Sequence, residues 1–272
     1  MPDGAQGFAR KELNRDGARL SYLDNDADGP VVMLLHGLAG CGDEFIPTAG
    51  AVGSRYRFIL PDLRGHGAST RHPADLSREA FTADAAALIR YVSPGRPVVL
   101  GGQSMGGHTA ILTAASRPEL VAQLVSLEAT VAGGADAKRL GDWFRSWPLP
   151  FASAQAARGF LGDDALSRSW IAHLEQAPGG GLVPPFQADV MEAIMAGVSE
   201  PCWPQWQSVR APATAVFAAK GMFSAGEQAA FIAARPGTRH VVLAGGSHDA
   251  HLDDTAEWAA ALRSVLDAQD EP

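Results

Sequence analysis

The sequence predicts an α/β protein in which strands and helices alternate around a mostly parallel sheet. Two observations carry this prediction. Short apolar runs, typical of strands buried on both faces, alternate with segments whose apolar residues recur at helical spacing. The connections between them are rich in glycine and proline. The length of 272 residues suits one large domain, or one core with an inserted subdomain.

The N-terminal third is predicted to hold short strands separated by turns. The alternating segments "FARKELN" and "ARLSYLD" predict a half-exposed hairpin. The apolar run "VVMLLHG" predicts a buried strand, and "RFILPDLRGHGAST" predicts a strand followed by a glycine-rich turn. The segment "GDEFIPTAGAVGSRY" is compatible with a helix. "SREAFTADAAALIRYV" has helical spacing, with Ser77 as its N-cap.

The alternation continues along the rest of the core. "PVVLGGQSMGGHTAILTAASRPEL" predicts a strand, a glycine-rich turn and a helix that ends at Arg117-Pro118. "VAQLVSL" predicts the next strand. Near the C-terminus, "ATAVFAA" and "HVVLAG" predict strands, whereas "GEQAAFIAARP" and "DTAEWAAALRSVLDA" predict helices. Strands that alternate with helices indicate a doubly wound sheet.

One segment, from about residue 131 to residue 209, interrupts this alternation. It holds five of the six tryptophans, many prolines and the glycine-rich stretch "PGGGLVPP". We therefore predict a helical cap over residues 131–209, placed on a core made of residues 1–130 and 210–272. The stretch "VAGG" is the predicted hinge between the two.

Composition limits the classes of partner. A net charge of −8 and the lack of a Lys/Arg cluster argue against nucleic acid. Cys41 and Cys202 lie outside any CxxC or Cys/His cluster, so the sequence predicts no metal site, no cofactor and no disulfide scaffold. The N-terminal residues lack an apolar signal-peptide core, and no apolar run reaches membrane-spanning length. A cytoplasmic location without a membrane partner is therefore expected; the oligomeric state is open.

The turn "GQSMG", residues 102–106, matches the pattern G-x-S-x-G. Ser104 follows an apolar strand and precedes a helix, the context that a nucleophile elbow requires. A sharp turn there would hold the Ser104 hydroxyl above the strand ends, and the flanking glycines would avoid collisions with neighbouring elements. The adjacent helix N-terminus favours developing negative charge. Ser104 is thus a candidate nucleophile.

At this point the chain resembles the α/β-hydrolase family. The resemblance rests on "HGLAG", "DLRGHGAS", "GGQSMGG" and "GGSHDAHLD", which occur in the family's order and span nearly the whole chain outside the predicted cap. It implies an α/β-hydrolase fold with a mostly parallel eight-stranded sheet flanked by helices, a serine nucleophile and no cofactor.

A serine hydroxyl needs an adjacent base near neutral pH. The resemblance implies that this base is His248, in the loop directly after the final strand. His251, nearer the last helix, is interpreted as a helix-start or pocket-wall residue. His108, inside the helix that follows Ser104, is interpreted as a packing or hydrogen-bonding residue.

The oxyanion of an acyl-transfer reaction needs preorganised donors. The resemblance implies the backbone N–H groups of Met105, directly after the nucleophile, and of Leu38, directly after His36-Gly37. His36 and the polar residues of "DLRGHG" are interpreted as structural; the latter are Asp62, Arg64 and His66.

The acid that orients the histidine is where this sequence departs from the family's usual pattern. Most members carry it after the seventh strand, but "FAAKGMFSAGEQ" holds no Asp, has Ser224 at the equivalent position and offers only Glu227. Some relatives carry the acid after the sixth strand, where Glu128 falls. Glu128 is therefore favoured to accept the imidazole N–H and stabilise the imidazolium. Glu227, or no acid at all, is the alternative.

The predicted function is hydrolysis of a carboxylic ester, thioester or lactone through an acyl-enzyme on Ser104. The cap tryptophans Trp143, Trp147 and Trp170 are pocket candidates for a small, apolar substrate, with packing inside the cap as the alternative. Carbon–carbon bond hydrolysis, haloperoxidase-like chemistry and acyl transfer are alternatives on the same fold. A non-catalytic ligand-binding protein is an alternative of another class.

Overall fold

An eight-stranded sheet forms the centre of the computed structural model, which describes residues 7–268. Its strand order is β1-β2-β4-β3-β5-β6-β9-β10, and only β2 runs antiparallel to its neighbours. The predicted mostly parallel sheet is therefore confirmed. A separate two-stranded sheet pairs β7 with β8. The strands are β1 (Ala9–Arg15), β2 (Ala18–Asp24), β3 (Val31–Leu35), β4 (Arg57–Pro61), β5 (Val98–Gln103), β6 (Val121–Leu127), β7 (Glu175–Gln176), β8 (Leu182–Val183), β9 (Ala213–Lys220) and β10 (Arg239–Ser247).

Helices cover both faces of the large sheet. Successive side chains of a strand point to opposite faces. Accordingly, Leu34 of β3 packs in one apolar cluster with Trp258, whereas Leu35 packs in the other with Phe81. The helices are α1 (Ile46–Val52), α2 (Arg78–Val92), α3 (Met105–Ser116), α4 (Ala137–Arg145), α5 (Ala154–Leu161), α6 (Ala165–Ala172), α7 (Ala188–Val198), α8 (Trp203–Ser208), α9 (Ala225–Ala234), α10 (Ala250–Asp253) and α11 (Thr255–Asp267).

Local signals set several helix ends. The Ser77 hydroxyl accepts a hydrogen bond from the Ala80 amide at 3.2 Å, so Ser77 caps α2 as predicted. The helix-compatible segment after β3 divides into a 3₁₀ turn, Gly42–Phe45, and the short α1. Helix α1 ends before Gly53, whose φ of 107° few other residues adopt. The α-helix is thus shorter than the helix-compatible segment of the sequence.

Residues 131–209 hold α4 to α8 and the small β7–β8 sheet, and within the described chain they add no strand to the large sheet. Helix α7 packs against α2 and α3, and α6 packs against α10. The chain enters this segment through Gly133 and Gly134, both with positive φ, and the Gly134 amide donates to the Ser199 carbonyl at 2.9 Å. The predicted hinge therefore lies against the end of α7.

None of the helices within residues 7–268 combines the length and the apolar character needed to cross a membrane. Residues 1–6, part of the stretch examined for a signal peptide, lie outside the described residues, as do residues 269–272.

Candidate active site

Ser104 lies between the end of β5 and the start of α3, with φ 50° and ψ −117°. A non-glycine residue with positive φ is strained, and such strain marks the turn that lifts a nucleophile out of the backbone. The neighbouring glycines leave no room for side chains. A Cβ on Gly106 would stand 2.0 Å from the Leu35 carbonyl oxygen, and one on Gly102 would stand 2.4 Å from the Gly106 carbonyl carbon. The local sequence thus has the residues that this turn requires.

A cavity of ≈ 250 Å³ opens beside Ser104. Glu128 and His108 line it together with Ser104, while Met195 and Val198 of α7 supply apolar wall. A larger groove of ≈ 870 Å³ lies along β9, α9 and β10, and its lining does not include Ser104. The smaller cavity is the one that brings chemistry-bearing side chains together.

Glu128 directly follows β6, is fully buried and has a φ of 47°. Its Oε2 lies 3.1 Å from Nδ1 of His248. The Ala218 amide donates to Oε1 at 2.8 Å and the Met222 amide donates to Oε2 at 3.0 Å. A carboxylate can only accept, so His248 carries its proton on Nδ1 and leaves the Nε2 lone pair free. The buried Glu128 carboxylate is therefore matched by three hydrogen-bond donors.

The end of β9, the seventh strand of the large sheet, and the loop after it hold the Glu128 carboxylate through the Ala218 and Met222 amides. A Cβ on Gly221 would stand 2.1 Å from Glu128 Oε1, so glycine is needed for the loop to wrap around the acid. Glu227 caps α9 and also lines the cavity beside Ser104, but within residues 7–268 it makes no hydrogen bond to His248. Its Oε2 accepts from the Ser224 amide at 2.8 Å, and the Ser224 hydroxyl accepts from the Glu227 amide at 3.3 Å.

Gln103, which sequence reasoning did not single out, connects three parts of the site. Its Nε2 donates to the His248 carbonyl at 2.8 Å, and a Cβ on Gly37 would stand 2.2 Å from its Oε1. The side chain is buried, so it packs the histidine loop and the "HGLAG" loop against the nucleophile turn. The only sequence signal was its position directly before Ser104 in "GQSMG".

The two predicted oxyanion donors belong to backbone segments that flank Ser104. Met105 is the first residue of α3, where backbone N–H groups have no intrahelical partner. Leu38 follows Gly37, and a Cβ on Gly37 would stand 3.6 Å from the Ser104 Cβ. The loop that carries the Leu38 amide thus passes so close to Ser104 that a side chain at Gly37 would be in van der Waals contact with it.

The other histidines of the region have structural surroundings. His251 is buried, with Nε2 3.4 Å from Oε2 of Glu44. His36 accepts from the Leu63 amide at 2.9 Å, and burial lowers its pKa. His108 lines the cavity, and burial lowers its pKa to about 3, so it is neutral near pH 7.

The polar residues of "DLRGHG" hold their own loop. Arg64 pairs with Asp84 through two hydrogen bonds of 2.7 Å. Asp62 accepts from the Gly42 and Ala68 amides at 2.8 and 2.9 Å. His66 contacts the Arg64 carbonyl at 3.0 Å, and burial lowers the pKa of its imidazole to about 3. These contacts match the structural interpretation made from the sequence.

The three tryptophans proposed for the pocket pack on one another. The ring centroids of Trp143, Trp147 and Trp170 are 5.3 to 5.6 Å apart, and Phe144 joins them. The lining of the cavity beside Ser104 includes none of these three tryptophans. Their arrangement corresponds to the alternative interpretation, an aromatic core within residues 131–209.

Comparison with known proteins places this geometry in context. A family model for the α/β-hydrolase fold matches residues 30–161. The sn-1-specific diacylglycerol lipase ABHD11 of Mus musculus is 39% identical over 126 residues, which cover 45% of this chain and 40% of the mouse protein. The 2-(acetamidomethylene)succinate hydrolase of Mesorhizobium japonicum is 29% identical over 102 residues, covering 38% of this chain and 36% of that protein. The matched segments thus span less than half of these relatives.

The solved structure of an E-2-(acetamidomethylene)succinate hydrolase has the same fold over nearly the whole chain. The TM-score is 0.87 at 22% identity, with 96% of this chain and 99% of that chain covered. Fold, motif order and family model agree on the class, an α/β-hydrolase-fold protein with a serine at the elbow. The chain has the α/β-hydrolase fold, and its residues 30–161 match the model of that family.

Proposed function

We propose that this protein hydrolyses a small carboxylic ester, thioester or lactone through an acyl-enzyme on Ser104. One observation carries the proposal: buried Glu128 holds His248 by a 3.1 Å hydrogen bond, at the sheet edge where Ser104 stands on a strained elbow. The relatives named as a diacylglycerol lipase and as a 2-(acetamidomethylene)succinate hydrolase agree with a hydrolytic reaction.

In the proposed reaction, Ser104 Oγ attacks the substrate carbonyl carbon while Nε2 of His248 takes the hydroxyl proton. The tetrahedral oxyanion accepts hydrogen bonds from the Leu38 and Met105 amides. His248 then gives its proton to the leaving alcohol or thiol. A water molecule attacks the acyl-enzyme with His248 again as base, and the acid product leaves with Ser104 restored.

Glu128 has a defined task in this scheme. Its carboxylate keeps the His248 proton on Nδ1 and stabilises the imidazolium that forms after proton transfer. The amides of Ala218 and Met222 hold the carboxylate in place, so the imidazole orientation is preorganised. The same site is compatible with the carbon–carbon hydrolase and acyltransfer alternatives, which differ in substrate and acceptor.

The cavity supports a small substrate with an apolar portion. Its volume is ≈ 250 Å³, and Met195, Val198 and Phe223 form apolar parts of the lining. Because α7 supplies two of these residues, we also propose that residues 131–209 act as a cap over Ser104. Neutral His108 adds no charge to the cavity near pH 7.

A fluorophosphonate probe and a panel of p-nitrophenyl esters test this function. The wild-type protein should be labelled at Ser104 and should hydrolyse the short-chain esters fastest. Ser104→Ala should remove the labelling, and His248→Ala should slow it by about 10³-fold or more. Circular dichroism controls for folding. Equal labelling of wild type and Ser104→Ala would rule out this nucleophile, and an unlabelled wild type would favour the non-catalytic alternative.

A further inference from the structure

Three side chains of metal-ligating types meet next to the "HGLAG" loop, and none of them lines the cavity beside Ser104. One ligand atom from each of Cys41, Asp43 and His173 lies within 4.8 Å of the other two. Cys41 precedes the 3₁₀ turn after β3 and Asp43 lies within that turn, whereas His173 is the C-cap residue of α6. The cluster therefore joins the core to the proposed cap.

His173 is oriented as a metal-ligating histidine would be. Its Nδ1 lies 2.8 Å from the Ser169 carbonyl oxygen. A carbonyl oxygen only accepts, so Nδ1 carries the proton and Nε2 presents a lone pair. Nε2 is buried and has no hydrogen-bond partner within residues 7–268. A hydrogen bond from the far ring nitrogen to a carbonyl is the usual support of such a ligand.

The other two side chains complete a donor set. Cys41 is a free thiol, and only 5% of the residue is exposed. One Asp43 oxygen, Oδ1, accepts from Arg10 at 2.5 Å, which orients the carboxylate. A carboxylate has two oxygens and several lone pairs, so it can bind an ion while it accepts this hydrogen bond. The Asp43 side chain is 20% exposed, which gives an ion a path from solvent.

We propose that Cys41, Asp43 and His173 bind a zinc ion. Thiolate, imidazole and carboxylate are the ligand types that zinc takes in proteins, and three protein ligands leave the fourth tetrahedral position to water. On binding, the thiol loses its proton to solvent and its sulfur lone pair forms the metal bond. The thiolate and the carboxylate balance the charge of the ion.

Such an ion would fasten α6 to the loop that follows the proposed Leu38 donor. A hydrogen bond of 2.9 Å from the Ser169 hydroxyl to Glu44 already joins the same two elements. Zinc would therefore strengthen an existing connection between residues 131–209 and the core. The zinc site does not depend on the proposed reaction at Ser104.

Titration of the chelator-treated full-length protein tests the site. Calorimetry with zinc chloride should give one site per chain. Cobalt chloride, as a spectroscopic substitute, should produce a thiolate-to-metal charge-transfer band and the intense visible bands of a tetrahedral ion. Loss of a supporting contact typically costs 10–100-fold in metal affinity, so Cys41→Ser or His173→Gln should cost at least about 100-fold.

Matched variants separate this site from adventitious binding. Cys202→Ser removes the other cysteine and His72→Gln removes an exposed histidine, and both should bind zinc as the wild type does. His173→Gln keeps the thiol and guards against misfolding of Cys41→Ser. No thiolate band in the wild type, or a band retained in Cys41→Ser, would overturn the proposal. Equal zinc affinity of His173→Gln and His72→Gln would overturn it as well.

Discussion

Glu128→Gln replaces a fully buried carboxylate by an amide of the same shape. Three groups donate to the carboxylate: the Ala218 and Met222 amides and Nδ1 of His248. A glutamine has one carbonyl oxygen, so its NH₂ group must face at least one of these donors. An unsatisfied buried donor costs about 1–3 kcal/mol, and we expect the free energy of unfolding to fall by that amount.

The same substitution should lower turnover far more than stability. A neutral amide cannot stabilise the His248 imidazolium, and its NH₂ group can force the imidazole into the wrong tautomer. Loss of the acid in such a constellation costs from about 10²-fold to about 10⁴-fold in kcat. The assay is the initial rate on a p-nitrophenyl ester hydrolysed by the wild type, at a temperature where circular dichroism shows the variant folded.

Glu227→Gln is the matched control, since it makes the same chemical change in the neighbouring loop. Glu227 caps α9 through Ser224 and also lines the cavity beside Ser104, so its loss can change KM. Because no hydrogen bond joins it to His248 within residues 7–268, kcat should stay within about threefold of wild type, and the loss of stability should be about 1 kcal/mol or less. Near-wild-type turnover of folded Glu128→Gln, or a larger loss in Glu227→Gln, would refute the assignment of the acid.

Three further predictions concern stability. Burial lowers the pKa of His108 to about 3. Below pH 6.5, His108 is therefore protonated in the unfolded chain but stays neutral in the native state, so the free energy of unfolding falls as the pH falls. The loss of unfolding free energy amounts to about 2 kcal/mol by pH 5. Urea unfolding at pH 5 and pH 8 should show a smaller difference in unfolding free energy for His108→Leu than for wild type. Equal differences for the two proteins would contradict this prediction. Burial also lowers the pKa of Arg78 to about 10. Arg78→Met, which keeps the apolar stem, should therefore raise the free energy of unfolding by up to about 3 kcal/mol, and a decrease would show that the charge is stabilising. Gly106→Ala would place a Cβ 2.0 Å from the Leu35 carbonyl oxygen, so the melting temperature and the fluorophosphonate labelling of this variant should fall. Gly50→Ala is the control, because a Cβ there meets open space in α1 and should not destabilise the protein. Similar melting temperatures of the two variants would argue against a rigid elbow.

Much of the fold was predictable because its signals are local. The alternation of apolar runs and helical spacing predicted the strands of the large sheet and their mostly parallel pairing. Glycines around Ser104 marked the tight turn, since each side chain added there would collide with backbone. The helix after β3 was predicted too long, because Gly53 ends α1 by a backbone conformation that the apolar pattern does not report.

The sequence, with its resemblance to the family, indicated Ser104, His248 and Glu128 as the candidate catalytic residues and left Glu227 as an alternative acid. Only the tertiary structure decided what surrounds Glu128. The end of β9 and the loop after it contribute the Ala218 and Met222 amides. Because nearly every residue has a backbone amide, the residue pattern does not report which amides face Glu128. The packing likewise brings Trp170 against Trp143 and Trp147, and His173 close to Cys41 and Asp43, across long stretches of sequence. Strand and helix patterns are set by neighbouring residues, whereas these contacts depend on how loops and helices pack in three dimensions.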